Sequence, residues 1–235
     1  MPEPKPIIIL TRPIHQGDAF RELLGSETQV IVSPVLEIRQ IQIDCKVENY
    51  DAMIITSRNA VTAASGLDLS GIKAFVVGEK TAEQARLRGI SVIGLAPDAD
   101  ALVGLIRRMQ PKGKLLYLRG RHTAGDMGNR LIFYGIETDS CVCYEQDSCP
   151  LSSAAKGALA SAAPVILPLF SPRSAAVLSA ELQGMLVKGE ITLVAISQAT
   201  LTAWSGPKPA RSVVVKTPDG QAMLQEILRL IGCPP

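Results

Sequence analysis

Aromatic residues make up only 4% of this 235-residue chain, which has a single Trp and two His. So sparse a set cannot tile a base-stacking surface, and no nucleic-acid partner is expected. Charge of one sign is also lacking: the formal net charge is +2. That implies no polyanion partner but leaves room for a local basic cleft. No apolar run approaches the length of a membrane span. Pro6–Leu10 is too short for a secretory apolar region and carries no cleavage site. No membrane partner is expected, and the expected compartment is the cytoplasm. The five cysteines, Cys45, Cys141, Cys143, Cys149 and Cys233, are odd in number and lack paired zinc spacing. They read as reduced thiols. The GxxxxGK[ST] phosphate loop, GxGxxG, HExxH and GxSxG are all missing. Neither a Ser/His/Asp set nor a metal cluster can be assembled. The chemistry then has to rest on orientation and electrostatics rather than on an activated nucleophile.

What the chain does have is small aliphatic residues and internal repetition. Hydrophobic residues make up 47% of it, enough for buried cores. SVIGLAPDADALVGLI from Ser91 returns from Ser212 as SVVVKTPDGQAMLQEI, with Ser, Val, Pro, Asp, Ala and the closing Ile in place. A weaker pair is LTRPIHQGDAFRELL at Leu10 and LRGRHTAGDMGNRLI at Leu118, which sets Arg12 and His15 on Arg119 and His122. With the Arg/His unit as B and the Pro-Asp unit as A, the order is B, A, B, A. Such doubling predicts two similar lobes and a cleft between them.

Short β-branched runs alternate with helical spacing throughout. Strands are expected at Ile7–Leu10, Val30–Val32, Asp51–Thr56, Ala74–Val77, Ser91–Leu95, Gly113–Leu118, Thr138–Tyr144, Val165–Phe170, Ile191–Ile196 and Val213–Lys216. Helices fall between most of them, and the last spans Met223–Leu230. This pattern predicts an α/β fold with parallel sheets and helices on both faces. Glu37–Asn49 and Gln146–Ser153 read as connectors.

Parallel sheets bind ligands outside the carboxyl ends of their strands. Here those ends carry Thr11, Thr56-Ser57, Gly78 to Thr81, Ser171, and Ser197 to Thr200. Each such residue has two readings. It caps the following helix, or it joins the helix N-terminus in holding an anion. Five junctions of one kind favour an anionic ligand. His15 and His122 read as decoration of helix starts rather than as bases.

At these junctions the chain resembles the uroporphyrinogen-III synthase family. The matching stretches are Thr11–Pro13, the Pro34 turn, Thr56–Val61, Val76–Ala82, Val142-Cys143-Tyr144, Leu169–Ala175, Ala195–Thr200 and the final Pro-Asp-Gly with its helix. They run through nearly the whole chain in the family's order. One departure is Ser197-Gln198-Ala199-Thr200, where the family commonly has Gly-x-x-Thr. The Thr is kept and the Gly is not.

The resemblance implies a lyase that closes hydroxymethylbilane with loss of water and inverts ring D through a spiro intermediate. No cofactor or metal is implied. The substrate would be a linear tetrapyrrole with eight carboxylates, and the protein a monomer. Tyr144 matches the family's crossover tyrosine and is the candidate to assist departure of the hydroxyl. Thr81 and Thr200 match its cleft threonines, and Ser57 and Ser171 its strand-end serines. Thr11, Gly78 and Ser197 lie at the same junctions, and Arg12, Arg58, Lys80 and Arg173 are possible charge partners. The implied fold has two flavodoxin-like lobes joined by a two-stranded connector. One lobe takes residues 1–36 and 150–235, the other 41–141, with crossovers at 37–40 and 142–149. The competing reading is a non-catalytic two-lobed module for a small polycarboxylate, which needs no tyrosine at its hinge.

Overall fold

A strand that returns parallel to its neighbour needs a crossover, and here helices supply most of them. The computed structural model of the chain describes residues 5–123 and 125–232. It divides into two compact units, one running to Glu37 and resuming at Asp147, the other Ile38–Gln146. The chain passes from one to the other inside β3 (Leu36–Gln40) and again inside β8 (Thr138–Ser148).

The first unit holds a five-stranded sheet in the order β11-β10-β9-β1-β2. Its strands are β1 (Ile7–Leu10), β2 (Val30–Val32), β9 (Val165–Leu169), β10 (Ile191–Ala195) and β11 (Arg211–Val214). All recorded pairs are parallel. Side chains alternate across a strand, so near-continuous apolar runs feed two cores. Ile7, Ile9, Leu167 and Leu193 pack under α6 (Ser153–Ala160) and α7 (Pro172–Glu181). Ile8, Leu10, Ile166 and Val194 pack under α1 (Ile14–Leu24) and α9 (Gly220–Leu230). Each fully buried aliphatic side chain contributes roughly 1.5–3 kcal/mol. Pro168 is tolerated in β9 because its pairing with β1 ends at Ile166.

The second unit holds a six-stranded sheet in the order β3-β8-β7-β4-β5-β6. It is built on β4 (Ala52–Ile55), β5 (Lys73–Val77), β6 (Ser91–Ala96) and β7 (Leu115–Gly120), and the recorded pairs are again parallel. Helices α2 (Arg58–Ala63) and α3 (Glu79–Leu87) cover Met53, Ile55, Val76 and Leu116 on one face. Helices α4 (Ala99–Met109) and α5 (Met127–Phe133) cover Ile54, Phe75, Leu115 and Tyr117 on the other. Glu145 of β8 is buried and is paired with Arg39 of β3 and with Arg121, which follows β7.

The two A repeats become the same object in both units. Each is an edge strand, β6 or β11, leading into an 11-residue helix, α4 or α9. Asp98 accepts from the Ala101 N–H at 2.8 Å, and Asp219 from the Ala222 N–H at 2.8 Å. The B repeats agree only in their strands, β1 and β7. Helix α1 begins four residues after β1 ends, but α5 begins only at Met127. His15 therefore lies inside α1, whereas His122 lies in a loop, so the expectation that both decorate helix starts fails for His122.

Two boundaries also differ from expectation. β8 continues through Ser148, so Gln146 is strand rather than connector. β11 begins at Arg211 because its register follows Thr192 of β10. Cys233 lies outside the described residues.

Replacing Asp219 with Ala removes the cap of α9 and is expected to cost about 1 kcal/mol. Urea unfolding measures this, and Asp219→Asn should retain most of the stability.

Candidate active site

Parallel strands bring their carboxyl ends to one edge of a sheet, so the junctions that follow them collect there. In the second unit Thr56 and Ser57 leave β4, Gly78 leaves β5, and His122 and Thr123 follow β7. Ser57 is extended and caps α2, accepting from the Asn59 N–H at 3.2 Å. Gly78 has φ +79, a left-handed conformation that favours glycine, and it turns β5 directly into α3.

A pocket of about 390 Å3 opens at this edge, with Thr56, Ser57, Tyr117, His122, Asp126 and Tyr144 in its lining. Its size falls within the ordinary range of small-molecule sites. Tyr144 is buried, and its phenol lies near the Ser57 side chain at the pocket. Burial raises the pKa of this phenol, the nearby Ser57 hydroxyl lowers it, and the neighbouring Cys143 and Tyr117 raise it further. The net direction is upward, so Tyr144 stays protonated at neutral pH and can donate. Tyr117 reaches the same pocket from β7, its hydroxyl 3.3 Å from that of Thr56. Arg130 also lines the pocket and pairs with Asp100 at 2.5 Å.

The first unit gathers the other predicted residues at the carboxyl edge of its own sheet. Thr11 follows β1 and is buried. Arg12 lies 4.1 Å over the Phe170 ring and donates to Gln16 at 2.8 Å. Stacking of this kind fixes the plane of a guanidinium. Ser171 caps α7, accepting from the Ser174 N–H at 3.1 Å, and Arg173 follows it half-buried. Ser197 caps α8 (Gln198–Thr202) and lies 3.0 Å from the Thr200 hydroxyl. Its backbone is extended, φ −156, so nothing at this position requires glycine.

Of the site residues predicted from sequence, Thr56, Ser57 and Tyr144 line the pocket and the others do not. Arg58 and Lys80 are exposed at the starts of α2 and α3. Thr81 is largely buried in the first turn of α3, and Thr200 is 0% exposed with its hydroxyl engaged by the cap. As the chain stands, these two threonines support local structure before they can meet any ligand. Sequence reasoning missed Tyr117, because LLYL reads as plain core. It also missed Asp98 and Asp126, which signal themselves only as helix caps. The described cysteines are free, and burial pushes Cys143 up to about 12. That thiol is no nucleophile at neutral pH.

A family model described as uroporphyrinogen-III synthase HemD matches residues 19–225. The chain belongs to the uroporphyrinogen-III synthase family. It is accordingly a cyclising lyase of tetrapyrrole biosynthesis that acts on a small-molecule tetrapyrrole. Uroporphyrinogen-III synthetase from Helicobacter pylori is similar in structure, with a TM-score of 0.71 and 21% identity, over 96% of this chain and 99% of that one. A mutant uroporphyrinogen III synthase from the extremely thermophilic bacterium Thermus thermophilus has a TM-score of 0.56 and 15% identity, over 97% of this chain and 99% of that one. Identities this low establish the α/β fold with mainly parallel sheets. Comparison with curated proteins returns no match. No described helix is long and apolar enough to cross a membrane.

The raised pKa of Tyr144 can be measured directly. An ultraviolet titration of the protein minus that of Tyr144→Phe should show one phenol ionising at higher pH than free tyrosine. Its folded pKa exceeds its unfolded one, so its stabilising contribution is complete below the unfolded pKa and is lost as pH rises through the folded one. Tyr50, held up to about 12 chiefly by its bond to Asp139, cancels in the difference. Ionisation at the free-phenol pH would contradict the burial argument.

Proposed function

We propose that the chain converts hydroxymethylbilane to uroporphyrinogen III, with Tyr144 as the proton donor to the departing hydroxyl. The observation that carries this is the buried phenol of Tyr144, which lines the strand-end pocket beside Ser57. In the first step the C–O bond of the hydroxymethyl group breaks and its electron pair stays on oxygen. The phenol proton goes to that oxygen, and water leaves. The pyrrole nitrogen lone pair fills the vacated carbon, and transfer of the N–H proton back to the Tyr144 phenolate gives a neutral azafulvene and restores the phenol. The substituted carbon of ring D then attacks to form the spiro intermediate, which fragments and recloses at the neighbouring carbon. A positioned general acid contributes typically about 10²–10⁴-fold. A phenol suits this step because its resting form is uncharged in a site that must accept a polyanion, and the phenolate is neutralised when the pyrrole N–H proton returns to it.

The two units read as flavodoxin-like lobes. In chain order the first sheet runs 2-1-3-4-5, the arrangement of that fold. The second sheet has the same neighbours in permuted order, with β7 and β8 in the places of β1 and β2. On this reading the strand-end groups that take carboxylates of the substrate are drawn from Thr11, Arg12, Ser171, Arg173, Ser197 and Thr200, and from Ser57, Arg58, Gly78, Lys80 and Thr81. Each helix-terminus contact is worth roughly 0.3–1 kcal/mol, so many weak contacts share the work of folding the linear substrate. That geometry selects closure through the substituted carbon over the spontaneous route to the type I isomer. We read the enzyme as a cytoplasmic monomer.

The test supplies hydroxymethylbilane and scores the macrocycle isomers after oxidation. The type III isomer should dominate. Tyr144→Phe should lower kcat by about 100-fold or more, with little change in KM. Type I product alone, at the spontaneous rate, would overturn the activity. Unchanged turnover in Tyr144→Phe would remove the phenol from the mechanism.

A further inference from the structure

Alternation along a regular strand would turn Tyr144 away from Ser57. Leu116 and Leu118 of β7 face the α2–α3 core, and Leu118 is paired with Cys141 of β8. Cys141 and Cys143 pack into that core, so an unbroken strand would send Tyr144 to the opposite face. The register breaks at this point. Arg119 pairs with Val142, but Gly120 pairs with Tyr144, leaving Cys143 as an extra residue in β8. The Cys143 carbonyl still accepts from the Ile41 N–H at 2.9 Å, and the Cys143 thiol lies 3.5 Å from the Arg119 carbonyl. A one-residue slip moves the next side chain to the other face, and bulges of this kind re-aim side chains beside active sites. The bulge thus brings Tyr144 round to the face of Ser57.

The space that receives the ring belongs to Gly120. A Cβ at Gly120 would stand 2.8 Å from Cε2 and from Cζ of Tyr144, and 3.0 Å from its hydroxyl oxygen. Those distances are inside van der Waals contact, and the obstructed atoms carry the phenol itself. The conformational freedom of glycine is not what is needed, since Gly120 is not among the residues with positive φ. What is needed is the absence of a side chain.

We infer that Gly120, together with the β8 bulge, is a positioning element for the reaction: it lets the Tyr144 ring pack closely against Gly120 of β7 and so sets where the phenol proton is delivered. This rests on Tyr144 being the proton donor. Misplacement of a reacting group by about 1 Å can cost on the order of 100-fold in rate. Gly120→Ala should therefore lower kcat by about that factor and leave KM nearly unchanged, because the strand-end groups that hold the substrate are untouched.

The test is a cycle of four proteins: the parent, Gly120→Ala, Tyr144→Phe and the double variant, each assayed on hydroxymethylbilane. The expected result is that Gly120→Ala is costly alone and costs nothing further in the Tyr144→Phe background. In the ultraviolet titration, Gly120→Ala should also bring the displaced phenol back toward free tyrosine. If Tyr144→Phe is impaired but Gly120→Ala is fully active, or if the two losses multiply, the positioning role is wrong and the proton-donor reading survives. If Tyr144→Phe is fully active, the proton-donor reading itself falls, and the positioning role with it. If Gly120→Ala does not fold, Gly120→Ala/Tyr144→Ala decides the steric argument. Recovery of a melting transition like that of Tyr144→Ala supports it, and continued failure to fold overturns it.

Discussion

Parallel pairing is the constraint on which the rest depends. Once β1, β9 and β10 run the same way, Thr11, Ser171 and Ser197 must emerge on one edge of their sheet. Once β4, β5 and β7 do so, Ser57, Gly78 and His122 share an edge in theirs. Parallel sheets need cover on both faces, which accounts for the near-continuous Ile, Leu and Val runs and for the helix that follows almost every strand. Each of those helices opens with unpaired N–H groups, and serines and aspartates satisfy some of them. A fold that must cap so many helices at one edge also assembles there the hydroxyls and N–H groups that an anionic substrate can use. The capping residues are the ones proposed to bind, so capping and binding need not be rival explanations.

The few aromatic residues matter for where they are placed. Two of the four tyrosines, Tyr117 and Tyr144, line one pocket. They reach it from opposite faces of the six-stranded sheet, Tyr117 from the α4–α5 side and Tyr144 from the α2–α3 side. A neutral phenol can donate a proton in a site where a cation would bind carboxylates indiscriminately. Glu145, beside Tyr144 in sequence, is tied to Arg39 and Arg121. Those ion pairs brace β8 against β3 and β7, and hold the strand that carries the phenol.

The sequence revealed some of this more clearly than the rest. Ser91–Ile106 and Ser212–Ile227 repeat because each builds an edge strand, an Asp cap and an amphipathic helix, and all three leave a mark in local pattern. The Leu10 and Leu118 stretches match only as strands, since the loop before α5 breaks the alignment and puts His122 in the pocket. Helix α6 escaped notice because SAAKGALA buries only Ala155, Ala158 and Leu159, too little apolar surface to show a period. Tyr144 stood out through resemblance to a family, and nothing in its local pattern marks it. Tyr117 and Gly120 were invisible for a related reason. Their significance comes from a cross-strand register, and a bulge between strands more than twenty residues apart has no signature in either strand.

The central claim is that the ends of β4, β7 and β8 present the reacting part of the substrate to Tyr144. A crystal structure of the chain with uroporphyrinogen III bound under anaerobic conditions tests it most directly. The account predicts the inverted ring and its bridging carbon in the pocket, with the Tyr144 oxygen within about 3.5 Å of a product atom, and with carboxylates on the strand-end hydroxyls. Product bound elsewhere, with Tyr144 still covered and Ser57 its sole polar neighbour, would contradict it.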